Sequence, residues 1–196
     1  MANPALPPVL ERLAEKLSER LLATHAERGE ATAIVVSSAW KQAARLAKEE
    51  AGLELNLLVD LTAVDYLSLG PSGPSGPPGK RPRFEVVAHL YSIPLNHRLR
   101  LKTSVSEEEP ELDTLTSLWG NANWLEREAY DMFGIRFVGH PHPKRILLYE
   151  GFEGHALRKD YPLRRQQPLV PLREVVEPVS MVSEPLRFPP EPRFKT

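Results

Sequence analysis

"NWLEREAYDMFGIRF" runs from Asn123 to Phe137, and "GHALRKDYPL" follows from Gly154 to Leu163. Carboxylates, tyrosines, a histidine and several cations crowd these two stretches. Asn123 suits an N-cap, with Glu126 three residues on as in a capping box. Gly134 suits the position just past a helix end. The pattern predicts a helix from about Trp124 to Phe133, roughly three turns. Trp124, Leu125, Ala129, Met132 and Phe133 would cover one side of it. Glu126, Arg127, Tyr130 and Asp131 would cover the other, with Arg127 and Asp131 placed to pair at i,i+4. Glu128 falls at the edge of the apolar side, where a carboxylate needs a partner. The cations of "LRKDYPL" are the nearest in sequence. A short strand (135–138), a Gly-His-Pro turn and an apolar run (146–149) follow.

Upstream, Val9 to Leu22 carries apolar residues at helical spacing, and "WKQAARLAKEEAG" predicts a second helix with Gly52 as its stop. "TAIVVS" (32–37) predicts a strand, and a further strand lies within Leu53–Leu67. "RFEVVAHLYSI" (83–93) and "HRLRLKTSV" (97–105) predict two more. In the latter, Leu99, Leu101, Thr103 and Val105 alternate with Arg98, Arg100, Lys102 and Ser104, the period of a sheet with one wet face. "EEEP" (107–110) closes this part.

The expected fold is α+β. N-terminal helices pack on a mainly antiparallel sheet, and a motif-bearing helix and an extended proline-rich C-terminal arm follow. The expected division is an α+β domain over 1–110, a signature region over 111–165 packed on it, and a tail over 166–196. "GPSGPSGPPG" (70–79) repeats Gly-Pro-X but is too short for a collagen helix and reads as a mobile loop. The tail holds seven prolines and many apolar residues without helical period, so it reads as an arm lying on something.

With 25 cations against 26 anions among 196 residues, charge gives no case for nucleic acid. Cysteine is absent. That excludes disulfides, a thiol nucleophile, thiolate zinc and a Cys-ligated iron–sulfur cluster in this chain. No apolar run approaches the ~18 residues of a membrane span. "MANPALPPVLERLAEKL" has no basic segment leading an apolar one, so no secretory signal is expected.

Three kinds of chemistry can be asked of the dense stretch. His140, His142 and His155, with Asp131 or Asp160, could hold a metal, but no spacing fixes a ligand set. Glu126, Glu128, Asp131 and Asp160 could do acid–base work, but Arg127, Arg158 and Lys159 lie among them and should lower their pKa values. No glycine pattern cradles a phosphate. The residues themselves favour an ion-pair network that fixes a docking surface.

"LEREAYDMFGIRFVGHPHPKRILL" followed by "GHALRKDYPL" resembles the signature of the C subunit, or 30 kDa subunit, family of NADH:quinone oxidoreductase, bacterial respiratory complex I. The matching elements are Glu126-Arg127-Glu128, Asp131 to Ile135, Gly139-His140-Pro141, Arg145-Ile146-Leu147 and Gly154 to Leu163. "SLWGNANWLERE", "FEVVAHLYSI" and "DLTAVDYL" also look like the family. Ala156 stands where the family usually has proline. The resemblance implies a peripheral-arm subunit without catalytic residues. It implies no cofactor in this chain, with FMN, iron–sulfur clusters and quinone held by partner subunits. The implied partners are the quinone-site D subunit and neighbouring iron–sulfur subunits. The implied place is the cytoplasmic side of the bacterial inner membrane, with membrane contact only through the complex. Glu126, Arg127, Glu128, Asp131, His140, Arg145, His155, Arg158, Lys159, Asp160 and Tyr161 would form an assembly network. Two alternatives stand beside this: the equivalent subunit of a membrane-bound hydrogenase or other quinone- or ferredoxin-linked dehydrogenase, and a stand-alone metal enzyme using His140, His142 and His155.

Overall fold

The computed structural model describes residues 7–67, 82–164 and 166–167. The Gly-Pro loop 70–79 and nearly all of the tail lie outside these residues. The first element, α1 (Pro8–Leu17), opens on proline, whose missing N–H costs nothing at a helix start. It buries Val9, Leu10, Leu13 and Leu17. The expected continuation to Leu22 does not occur. Ser18 adopts φ 45° and its N–H bonds Ala14 O, which ends the helix. Leu21 and Leu22 instead enter a strand, β1 (Leu21–His25), antiparallel to β2 (Thr32–Val35). Leu21 sits four residues after Leu17, so its helical spacing is coincidental.

α2 (Trp40–Glu49) buries Trp40, Ala43, Ala44 and Ala47. It ends at Glu49, earlier than the glycine stop at Gly52 implies, because Glu50 is already extended. Gly52 shapes the turn beyond, with φ +79°, and a Cβ there would overlap the Arg12 guanidinium. Arg12 reaches across to donate to Ala51 O at 2.7 Å.

β3 (Leu57–Asp65), β4 (Phe84–Ser92) and β5 (His97–Val105) form a consecutive antiparallel run, with β2 added parallel to β5. The sheet order is β1-β2-β5-β4-β3. The alternation expected of β5 holds: Leu99, Leu101, Thr103 and Val105 are buried and their neighbours are not.

Past the sheet, β6 (Glu111–Asp113) pairs in parallel with β7 (Arg136–Val138), and α3 (Ala122–Phe133) lies between them in sequence. β6 is an addition to the expected elements, since three residues carry too little pattern to stand out. α3 packs against β3. Trp119 Nε1 donates to Asn56 O at 3.2 Å and Asn121 Nδ2 to Leu58 O at 2.7 Å. One hydrophobic core runs from Leu10 and Trp40 through Phe84 and Leu101 to Ala129, Phe133 and Phe137. The fold is α+β, as expected.

Candidate functional site: a signature segment folded around its own charges

α3 begins at Ala122, two residues before its expected start, and Asn121 rather than Asn123 precedes it. No side chain caps it, so the expected capping box is absent. Its buried stripe runs Ala122, Glu126, Ala129, Phe133, with Asp131 and Met132 beside it. These are i, i+4, i+7 and i+11 positions. Polarity alone assigns the faces of this helix differently, and two buried carboxylates overturn that assignment. Glu126 and Asp131 are both 0% exposed, while Trp124, expected inside, is 60% exposed. Trp124 lies under the Arg127 guanidinium, 5.3 Å from its ring.

Asp131 organises the chain after β7. Its Oδ2 accepts from the N–H groups of Ile146, Leu147 and Leu148 at 3.1, 2.9 and 2.9 Å. Its Oδ1 takes Arg145 Nη1 at 2.8 Å. Burial pushes its pKa up, but these donors together hold it below the ordinary carboxylate value. The expected Arg127–Asp131 pair is not formed. Arg127 instead donates to Lys144 O at 2.9 Å and to Arg145 O at 3.0 Å. Arg145 also donates to Gly154 O at 3.1 Å. Thus α3 grips residues 144–148 from both sides with hydrogen bonds to backbone.

The segment 154–163 closes over the C-terminal end of α3. Gly134, in the left-handed region at φ +76°, ends the helix as expected, and its N–H bonds Tyr130 O. A Cβ there would lie 2.5 Å from both His155 Nε2 and Arg158 Nη2, so only glycine leaves room. His155 Nδ1 donates to Asp131 O at 3.0 Å, Arg158 Nε to Phe133 O at 2.6 Å, and Leu157 N–H to Met132 O at 3.1 Å. These satisfy carbonyls that every helix end leaves open. Burial lowers the His155 pKa, so the ring is neutral at physiological pH. Tyr161 stacks on Phe152 with ring centroids 5.7 Å apart.

A second knot ties this segment to the sheet, and its centre, Arg83, is not among the residues expected from sequence. Arg83 is held by buried Asp65 at 3.1 Å, by Glu107 at 2.6 Å and by Asp160 at 2.6 Å. Asp65 Oδ2 also accepts the Lys159 N–H at 2.9 Å. Asp65, after the opposing effect of burial, is held below its usual range by Arg83 and by the N–H groups of Lys159 and Leu67. Asp160 is lowered first of all by Arg83. A signal exists in the sequence: Asp65 follows Leu61 and Ala63 on the core face of β3, and a carboxylate there demands a cation. Phe84, the residue after Arg83, is the register partner of Asp65 across the sheet.

Other expected members behave differently. Glu128 and Lys159 are exposed, so Glu128 needs no partner, contrary to expectation. His140 accepts the His142 N–H on Nδ1 at 3.0 Å and donates from Nε2 to Asn123 O at 3.1 Å. His140 and His155 are thus engaged with backbone in separate places. Among the described residues no three His, Asp or Glu side chains are grouped to hold a metal ion. Glu126 departs most from expectation. Its Oε2 accepts from the Thr114 hydroxyl at 2.5 Å and its Oε1 from the Leu115 N–H at 2.6 Å. Desolvation without a paired cation pushes its pKa up to about 7, where the neighbouring cations in sequence lead one to expect a lowered value.

Residues 33–167 match the family described as "Respiratory-chain NADH dehydrogenase, 30 Kd subunit". The chain belongs to this family. It is similar to the C subunit of NADH-quinone oxidoreductase from Geotalea uraniireducens (strain Rf4), 46% identical over 153 residues, covering 78% of this chain and 85% of the relative. The corresponding protein of Roseiflexus castenholzii (strain DSM 13941 / HLO8) is 43% identical over 161 residues, covering 82% and 86%. Among solved structures, the trypsin-resistant fragment (1-134) of Nqo5 matches with TM-score 0.56 and 34% identity, over 68% of this chain and 98% of the fragment. A chain of the membrane-bound sulfane sulfur reductase, an archaeal respiratory membrane complex, shares the fold at TM-score 0.60 and 20% identity, over 80% and 85% of the two chains. No helix among the described residues of this family member is long and apolar enough to cross a membrane.

Proposed function

We propose that the chain is a cofactor-free peripheral subunit of a proton-translocating NADH:quinone oxidoreductase and carries no catalytic centre of its own. It would dock against the quinone-site D subunit and neighbouring iron–sulfur subunits, on the cytoplasmic side of the membrane. FMN, iron–sulfur clusters and quinone would all be held by those partners. The observation that carries this reading is where the charges go. Asp131, Arg127, Arg145, His155 and Arg158 each bind this chain's own backbone, and Arg83 gathers three of its own carboxylates.

Among the polar residues of the signature region, several large apolar side chains face outward. Trp124, Val138, Leu147, Leu157 and Leu163 are exposed. Large exposed apolar side chains framed by polar ones suit a protein interface. The network's work in this reading is to hold irregular backbone rigid, so that these side chains are presented in a fixed arrangement. The test is affinity capture of the tagged chain from its own detergent-solubilised membranes. Bound proteins are identified by mass spectrometry, and iron and zinc are measured on the same sample. Quinone-reductase subunits accounting for all the iron are expected. The chain recovered alone with stoichiometric zinc would overturn the reading.

A further inference from the structure

Glu126 is the buried carboxyl of α3 that lies outside the Asp131–Arg145–Arg158 network. Its side chain is wholly buried, both oxygens are hydrogen-bonded, and among the described residues no cation lies within ion-pairing distance of it. The Thr114 hydroxyl that meets Oε2 at 2.5 Å also lies 2.9 Å from the Thr116 hydroxyl. Thr114 is buried and Thr116 half-buried. A row of three oxygens therefore leads from the buried carboxyl toward the surface.

We propose that Glu126 is a buried proton-binding site, and that its proton exchanges with solvent through the hydroxyls of Thr114 and Thr116. In the protonated form the carboxyl O–H donates to Thr114, Thr114 to Thr116, and Thr116 to water. On release, the carboxyl O–H breaks as Thr114 takes the proton. Thr114 passes its own hydrogen to Thr116, and Thr116 passes its own to water. The products are a carboxylate and hydronium, and every hydroxyl ends the step with one hydrogen, its direction reversed. The Leu115 N–H bonds Oε1 in both forms, so the side chain need not move.

The surrounding charges are compatible with either form. Lys41 of α2 acts on Glu126 through space and favours its ionised form. Arg127 and Tyr130 from α3, Arg136 from β7 and His140 beyond it line a small pocket at its side. Arg127 is committed to backbone carbonyls and Arg136 to Glu111. On β6, Glu111 and Asp113 are exposed, so neither adds a buried like charge. Burial without a counter-charge moves the carboxyl up to about 7, against the pull of Thr114 and Leu115. The site would thus change state near neutral pH. The joint it sits in links α3 to the β6–α3 connection, which also bonds β7 through Thr114 N–H and Val138 O at 3.0 Å.

The test uses the full chain, carboxyl-labelled at glutamate and followed by NMR from about pH 5 to about pH 9, a range above the midpoint of ordinary glutamates. One resonance is expected to move with a midpoint of about 7 and to be missing in Glu126→Gln. Absence of any such resonance, or its persistence in Glu126→Gln, overturns the site. The route is tested by an infrared pH jump that follows the carboxyl C=O band. Thr116→Val, at the half-exposed end, is expected to keep the band but slow its appearance by about a hundredfold, the low side of what a positioned proton-transfer group contributes. An unchanged rate overturns the hydroxyl route.

Discussion

Asp131 and Glu126 lie on the same helix, both closed to solvent, five residues apart, and meet opposite fates. Asp131 collects three backbone N–H groups and an arginine, and it stays ionised. Glu126 collects one hydroxyl and one N–H, and its proton is held up to about pH 7. Glu126 is set deeper in the protein, and desolvation there outweighs its two donors, whereas at Asp131 three N–H groups and an arginine outweigh desolvation. The irregular segment 144–148 supplies those donors to Asp131, whereas the connection before α3 supplies only two to Glu126.

The largest break of this contrast is Asp131→Ala. It leaves Arg145 without its buried partner and three N–H groups without an acceptor, and breaking a buried pair costs about 3–5 kcal/mol. Urea unfolding of the chain would measure it. Arg83→Met follows. It strands buried Asp65, and a loss of about 3 kcal/mol is expected at neutral pH, again by urea unfolding. Gly134→Ala is smaller. Ala at positive φ is expected to lose about 1 kcal/mol or somewhat more, with the His155 and Arg158 ends forced aside.

The pH dependence sharpens the same comparison with opposite signs. Asp131 and Asp65 have lowered values. Their stabilisation is therefore present above the ordinary value of 3.8 and is lost as pH falls through their folded values. Glu126 has a raised value, so the folded state binds its proton more tightly than the unfolded state. Its contribution is full below 4.5 and is lost as pH rises from there through about 7. Glu126→Gln should therefore be nearly neutral in acid and stabilising above neutrality, read as a flatter unfolding-midpoint profile against pH. The smallest effect on folding is expected for Asp160→Ala. Its carboxylate is half exposed, and such pairs contribute about 0–1 kcal/mol, visible as a minor shift in thermal midpoint.

Much of this fold is legible in the sequence because patterns of period two and 3.6 mark long elements. β5 reads correctly over its full length, and α2, β2, β3 and β4 read correctly in kind. β1 and β6 do not, since a five-residue strand merges with helical leucines and a three-residue strand carries no period. The site is legible in part of its membership and not in its pairing. Asp131, Arg145, His155 and Arg158 do come together. Yet their partners are mostly backbone groups of irregular chain, which no side-chain pattern announces. Arg83 escapes notice because its three carboxylates come from three separate parts of the sequence.

In the proposed function the dense charged stretch holds a docking surface and supplies no catalytic residue. The most direct measurement is quinone-reductase turnover per assembled complex in Arg158→Ala and Asp160→Ala strains, with assembly quantified on the same membranes. Activity is expected to fall only in proportion to assembled complex, leaving turnover per complex unchanged. Full assembly with turnover near zero would contradict it and return these residues to an active site.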